Sequence, residues 1–206
     1  MEEKTMLQVL AEQKLYVDAC KSEKWVGRGE ERLFEFDSPL AQVVIGVRRS
    51  GKSTFCHKVL LEHNEKYGYV NFDDDRMANL QVGDLNTVLS CVYQIYGTDI
   101  RYIFLDEIQD VDGWHLFVNR LLRSNLHVVV TGSNAKLLSG ELATHLTGRY
   151  NEIRLFPFSF REYCAFHGID TGGITTKSEA ERKRAFMEYI TDGGFPEMQN
   201  LRNKRG

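Results

Sequence analysis

One stretch constrains this chain more than any other. Gly46-Val47-Arg48-Arg49-Ser50-Gly51-Lys52-Ser53 fits the pattern G-x-x-x-x-G-K-[ST]. It directly follows Ala41-Gln42-Val43-Val44-Ile45, a short apolar, β-branched run that reads as a buried strand. It leads into residues 52–66, which read as a helix carrying Val59, Leu60 and Leu61. A loop in that position must curl so that several backbone N–H groups point inward at a phosphate. Glycine permits the curl and leaves room for the anion. The helix adds its positive N-terminal end, Lys52 places a cation on the β- and γ-phosphates, and the Ser53 hydroxyl is a ligand for Mg²⁺. With glycine near 7% of an average chain and lysine similar, a chain of 206 residues meets the pattern by accident roughly once in a hundred. Residues 46–54, Thr54 included, are the expected triphosphate cradle.

Around this unit the chain alternates strands and helices. Residues 5–21 read as a helix with Met6, Leu7, Leu10, Leu15 and Val17 among charged positions, and residues 21–31 as a polar connector. Further strands are expected over 67–72, 102–105, 126–130 and 153–156. Helices are expected over 85–96 and, in one or two pieces, over 137–145. Trp114, Phe117, Val118, Leu121 and Leu122 recur at the spacing of one amphipathic helix face. Continuously apolar strands alternating with helices mark an α/β fold with a mostly parallel sheet covered on both faces.

The texture changes after Pro157. Ser159-Phe160-Arg161-Glu162 and Ser178-Glu179-Ala180-Glu181 read as capping boxes. The second leads into a helix with Ala185, Phe186, Tyr189 and Ile190 on one side, closed by Gly193-Gly194 before Pro196. The expected organisation is an N-terminal helical segment (1–30), a nucleotide-binding core (31–157) and a helical extension (158–206), the last as the start of a longer C-terminal region.

The third strand, Tyr102-Ile103-Phe104-Leu105, ends in Asp106-Glu107. Buried strands often end in acid at a solvent edge. Beside a phosphate loop, however, Asp106 is placed to hold Mg²⁺ and Glu107 to polarise an attacking water as general base. The second strand also ends in acid, Asp73-Asp74-Asp75, read as a solvated strand terminus and turn; the Asp106-Glu107 pair is preferred because its adjacent Glu provides a base. Thr131-Gly132-Ser133-Asn134 follows the fourth strand, where Ser133 and Asn134 are candidates to hydrogen-bond the γ-phosphate or the water, or else to cap a helix. Arg149 is a candidate arginine finger, in cis or in trans. Arg48 and Arg49 lie inside the loop and have Asp106, Glu107 or a partner as candidate counter-charges.

Composition excludes more than it assigns. The net charge of −3 argues against general affinity for nucleic acid, leaving Arg182, Lys183, Arg184 and Arg202, Lys204, Arg205 as a possible but unsupported local patch. Cys20, Cys56, Cys91 and Cys164 show no metal-ligand spacing and read as thiols of a reducing compartment. The N-terminus opens on Glu2, Glu3 and Lys4 without an apolar run, and no stretch approaches a membrane span. A soluble, cytoplasmic protein is expected.

Taken together, residues 46–53, Asn71-Phe72-Asp73-Asp74, Leu105-Asp106-Glu107-Ile108-Gln109 with Trp114 after it, Thr131-Gly132-Ser133-Asn134, Leu146-Thr147-Gly148-Arg149 and Phe156-Pro157-Phe158-Ser159-Phe160 resemble a known group. These segments are similar to the prokaryotic AAA-like P-loop ATPases of the AAA_14 type, often paired with a DUF4143 domain. Gly193-Gly194-Phe195-Pro196-Glu197 resembles that family's passage into its C-terminal region. The resemblance implies a P-loop NTPase three-layer sandwich with a five-stranded sheet in the order 5-1-4-3-2. It also implies ATP and ADP as ligands, with Mg²⁺, and the roles given above to Lys52, Ser53, Asp106, Glu107 and the 133/134 pair. It leaves the biological substrate open. Members usually continue into a second domain where this chain stops, so a missing C-terminal domain or a separate protein is the expected partner, and oligomers are possible.

Three functions compete. The first is an ATPase that couples hydrolysis to conformational change in a partner. The second is a nucleotide-dependent switch with negligible turnover. The third, a small-molecule or nucleotide kinase, lacks an arginine-rich lid between residues 110 and 150.

Overall fold

The computed structural model describes residues 2–23, 25–133, 146 and 148–203. The helix expected over 137–145, and with it Asn134 and Thr147, lies outside them, as do Lys204 and Arg205. Five strands form one sheet: β1 (Ala41–Gly46), β2 (Tyr67–Asn71), β3 (Tyr102–Asp106), β4 (His127–Ser133) and β5 (Tyr150–Arg154). Their order is 2-3-4-1-5 and every pairing is parallel. That is the expected order read from the other edge.

The period of two along each strand splits the core into two layers. Val43 and Ile45 of β1, Ile103 and Leu105 of β3, and Val128 and Val130 of β4 face one side. They pack there with α1 (Glu3–Cys20), α3 (Leu85–Tyr96) and α4 (Trp114–Arg123). Val44, Phe104 and Val129 face the other side, against Phe55, Val59 and Leu60 of α2 (Lys52–Glu62). Helix α1 is part of this body, since Met6, Val9 and Leu10 lie in the first layer, although Leu15 is exposed. The Gln13 amide also pairs with edge strand β2, donating to Asn71 O at 3.0 Å and accepting from Asn71 N at 2.9 Å.

Several boundaries differ from expectation. Helix α2 ends at Glu62 rather than 66, because Asn64 takes a left-handed conformation (φ 55°) and turns the chain toward β2. Strand β4 runs on through Thr131-Gly132-Ser133, paired to β1 as far as Gly46. Strand β5 covers 150–154, three residues earlier than expected at its start, because Ala41 pairs with Tyr150. The Ser159 cap is present, with its hydroxyl accepting from Glu162 N at the start of α5 (Phe160–Phe166). Helix α6 (Thr176–Asp192), by contrast, starts before Ser178. Its cap is Thr175, whose Oγ1 accepts from Ser178 N at 3.1 Å. Ala185 of α6 is buried with Tyr163 and Cys164 in a small separate cluster; Phe186 is half-exposed but meets the Phe160 ring edge to face at 5.2 Å, and Ile190 is exposed. A further helix, α7 (Pro196–Asn203), follows Gly193-Gly194. The four cysteines are free and buried, and among the described residues no helix is long and apolar enough to cross a membrane.

Candidate active site

Strand β1 hands the chain to the loop at Gly46, whose partner on β4 is Ser133. A Cβ on Gly46 would stand 2.2 Å from the carbonyl oxygen of Leu155, so only glycine lets the chain past the end of β5. Val47, Arg48 and Arg49 are then exposed, and Ser50 turns inward with its N–H donating to Val47 O at 3.2 Å. Gly51 (φ 88°) caps α2, and Lys52 is the first residue of that helix.

Lys52 is only 5% exposed. Its Nζ donates to Gly46 O at 3.4 Å and Val47 O at 3.3 Å and stands 3.8 Å from Glu107 Oε1. A buried ammonium group held by two long carbonyl contacts and one distant carboxylate is poised for a stronger anion. The Ser50 hydroxyl in the same loop is buried with no hydrogen-bond partner among the described residues. Both features fit a phosphate.

Asp106 ends β3 beside the loop. Its Oδ1 accepts from Ser53 Oγ at 3.1 Å and from Thr131 Oγ1, and its Oδ2 accepts from Tyr69 OH at 3.0 Å. Burial raises its pKa, and the three hydroxyl donors only partly oppose that rise. Three hydroxyls around one buried carboxylate form a hard-oxygen set of the kind Mg²⁺ takes. The next residue, Glu107, adopts a left-handed conformation (φ 56°) that swings its side chain off the strand direction. Its N–H donates to Thr131 Oγ1 at 3.2 Å, and its Oε2 accepts from Gln109 Nε2 at 2.5 Å. Glu107 and Ser133, with Arg48, Asp73, Gln109 and Asp110, line a cavity of 120 Å³.

The structure therefore gathers Lys52, Ser53, Asp106, Glu107 and Ser133 around one loop. Other expected partners differ. Arg48 faces Asp73 (3.7 Å) and Arg49 pairs with Glu197 (3.0 Å), not with Asp106 or Glu107. Asp73, expected to be a plain solvated terminus, lines the cavity. Asn134 lies outside the described residues. Arg149 is not brought to the site of its own chain. Its carbonyl accepts from Ala41 N at 3.0 Å, at the start of β1, whereas the loop leaves the far end of that strand. At about 3.3 Å per residue the separation is roughly 15 Å or more, beyond an arginine side chain. Arg149 is exposed there. The basic residues of α6 are satisfied locally: Lys183 by Glu179 (2.8 Å) and Arg184 by Glu188 (3.1 Å), while Arg182 donates to Gly173 O.

Three contributors escaped the sequence reading. Tyr69 and Thr131 hold Asp106, and they could have been found as polar side chains on otherwise apolar strands next to the acidic one. Arg28, in the supposed connector, is 7% exposed and donates to Ser50 O in the loop, which no local pattern announces. Beside the loop, on its Thr54 side, a cavity of 190 Å³ is lined by Trp25, Val26, Thr54, Phe158, Phe166 and Pro196, among others.

The chain is similar to known proteins in sequence and in fold. Two uncharacterized proteins are similar in sequence. One, from Methanocaldococcus jannaschii, is 38% identical over 76% of this chain and 36% of its own length. The other, from Haemophilus influenzae, is 36% identical over 81% of this chain and 42% of its own length. The chain thus spans about two fifths of these relatives. Among solved structures, Hsp104 of S. cerevisiae in its ADP complex superposes with a TM-score of 0.57 at 16% identity, over 74% of this chain and 25% of that one. The Walker-type ATPase PABY2304 of Pyrococcus abyssi gives 0.51 at 13% identity, over 86% and 68%. Residues 38–164, with the loop and both acidic and polar strand ends inside them, match the AAA_14 family of AAA domains, and the chain belongs to that family.

Proposed function

We propose that this domain binds MgATP and hydrolyses it, and that hydrolysis drives a conformational change in a partner. The observation that carries the reading is the convergence on one loop of a buried ammonium group (Lys52), a hydroxyl–carboxylate pair 3.1 Å apart (Ser53 and Asp106) and a second carboxylate (Glu107). In this reading the backbone of residues 46–53 cradles the phosphates and Lys52 neutralises the β- and γ-phosphates. Ser53 and Asp106 would hold Mg²⁺, which supplies positive charge to the phosphate oxygens. Glu107 takes a proton from water as its oxygen attacks the γ-phosphorus. The bond to the β-phosphate oxygen breaks, leaving ADP and inorganic phosphate. Ser133 hydrogen-bonds the γ-phosphate or the water. The cavity at Trp25, Thr54 and Phe158, which Arg28 and Lys58 also line, is the seat for the base, since its aromatic side chains suit a stacked purine. The larger relatives supply the motive for a partner: most of their length lies outside the part matched by this chain.

A second reading rests on Glu107 itself. Its Oε2 is engaged by Gln109 at 2.5 Å and its Oε1 faces Lys52. A base held by protein groups favours a nucleotide-dependent switch that turns over only when a partner frees it. Titration with MgATP and measurement of phosphate release at rising protein concentration separate the readings. Binding with turnover supports the ATPase, and binding with no turnover at any concentration supports the switch. Absence of binding removes both.

A further inference from the structure

Arg28 carries a full charge into a nearly closed site. Its Nε donates to Glu162 Oε1 at 3.0 Å, its Nη1 to Ser50 O at 3.3 Å and its Nη2 to Phe156 O, while the guanidinium carbon lies 5.0 Å from the centre of the Phe158 ring. Buried charge at this depth is tolerated only when such partners are complete. The fork geometry is specific to arginine, because three nitrogens point in three fixed directions within one plane.

The Ser50 carbonyl is an informative place to pull. Ser50 sits between two left-handed residues, Arg49 (φ 69°) and Gly51 (φ 88°), and for the non-glycine Arg49 that conformation persists only where surrounding contacts hold the loop. In a trans peptide the carbonyl and the following N–H point to opposite sides. Drawing Ser50 O outward onto Arg28 therefore turns the Gly51 N–H to the inner side of the loop.

The seat of Arg28 comes from the C-terminal helices. Glu162 of α5 accepts Arg28 Nε and, at 3.3 Å, Gly29 N on one oxygen. Its other oxygen accepts Ser159 N at 2.7 Å and Ser159 Oγ at 2.8 Å. The capping box of α5 thus orients the carboxylate that orients the arginine. At the start of α7, Pro196 Cγ lies 3.5 Å from the position a Cβ on Gly51 would take, and Glu197 pairs with Arg49.

We propose that Arg28 is a positioning residue for the phosphate loop: it holds the Ser50–Gly51 peptide with the Gly51 N–H facing inward, from a seat built by Glu162 and Phe158. Its role in ligand binding rests on the phosphate-binding reading above; its hold on the loop does not. The loop's shape then depends on the C-terminal helical segment as well as on the sheet, so displacement of that segment loosens the cradle.

Amide hydrogen exchange on the nucleotide-free protein tests the hold directly. Arg28→Lys keeps the charge and loses the fork. It should speed exchange at residues 48–53 about tenfold or more while leaving the amides of β1 and β4 unchanged, as expected for loss of hydrogen bonds to a charged group. In the same variant MgATP affinity should fall by about tenfold, with turnover at saturation within about twofold of wild type. Glu162→Gln, which keeps the arginine, should move the same amides in the same direction, and it decides the matter if Arg28→Lys does not fold. Unchanged loop exchange overturns the proposal, and so does faster exchange with unaltered affinity. If the wild type binds no nucleotide, the phosphate-binding reading fails, and the exchange data still decide whether Arg28 holds the loop.

Discussion

The Lys52 ammonium group faces the Glu107 carboxylate at 3.8 Å, with Lys52 on the first turn of α2 and Glu107 just past the end of β3. That is longer than a tight ion pair, and it leaves each group able to act on something between them. Two substitutions separate their roles. Lys52→Ala should weaken ATP binding by about a hundredfold or more, because it removes the buried cation from the phosphates. Glu107→Gln should leave binding within a few-fold and lower turnover by about 10²–10⁴, the usual loss with a general base. Calorimetric titration and a phosphate-release assay read the two effects, and equal turnover in Glu107→Gln and wild type would remove the base assignment.

The Ser53–Asp106 pair predicts the metal dependence. Chelation of Mg²⁺ should weaken ATP binding to the wild type by about tenfold or more, and Asp106→Asn should abolish most of that difference. Stability should move the other way. Burial raises the pKa of the Asp106 carboxyl by disfavouring its charge, so the charged form of this side chain opposes folding. The uncharged asparagine should keep or raise the melting temperature. A variant that melts lower and retains its Mg²⁺ response would contradict both parts.

Most of this site was legible because phosphate chemistry is local in sequence. The loop, its lysine and its serine are contiguous, and the strand-end carboxylates announce themselves by ending an apolar run. What escaped was set by tertiary packing. Arg28 and Glu162 are 134 residues apart and meet only because the C-terminal helices fold back over the loop. Arg149 looked like a site residue until the register of β5 against β1 placed it at the wrong end of the sheet. The apolar side of α6 is only partly covered, by Phe160 and Tyr163: periodicity shows that a helix has an apolar side and not how much of it is covered.

His57 gives a pH dependence whose sign is fixed by burial. The side chain is fully buried, shares a hydrogen bond with Tyr67 OH at 2.9 Å and packs against Tyr69 and Phe104. Burial lowers its pKa from 6.5 to about 4. Between those values the unfolded chain binds a proton that the folded protein does not, so stability should fall as pH drops from 6.5 toward 4. The slope contributed by this group is at most about 1.4 kcal/mol per pH unit. Urea denaturation across that range should show the decline, and it should be shallower in His57→Gln. Identical slopes in the two proteins would place the titration elsewhere.

Gly46 predicts a steric limit. An alanine methyl would stand 2.2 Å from the Leu155 carbonyl oxygen, a backbone atom that cannot swing aside. Gly46→Ala should therefore cost about 1–3 kcal/mol or more. Gly83→Ala, where an added Cβ meets nothing within 4 Å, serves as control. Denaturant midpoints of the two variants should differ clearly. Equal midpoints would mean that β5 can withdraw from the loop at little cost.

Arg149 yields the sharpest test of assembly. It is exposed at the sheet end opposite the loop, out of reach of its own chain's phosphates. If it acts as an arginine finger, it acts on a neighbouring copy, and turnover should rise steeply with protein concentration. Arg149→Ala and Lys52→Ala should each be inactive alone. Mixed, they should recover part of the activity, because one supplies an intact cradle and the other an intact arginine, and the gain expected from a finger is large, about 10³ or more. Failure of the mixture to exceed its components, in a wild type whose specific activity is independent of concentration, would show that Arg149 has no part in catalysis.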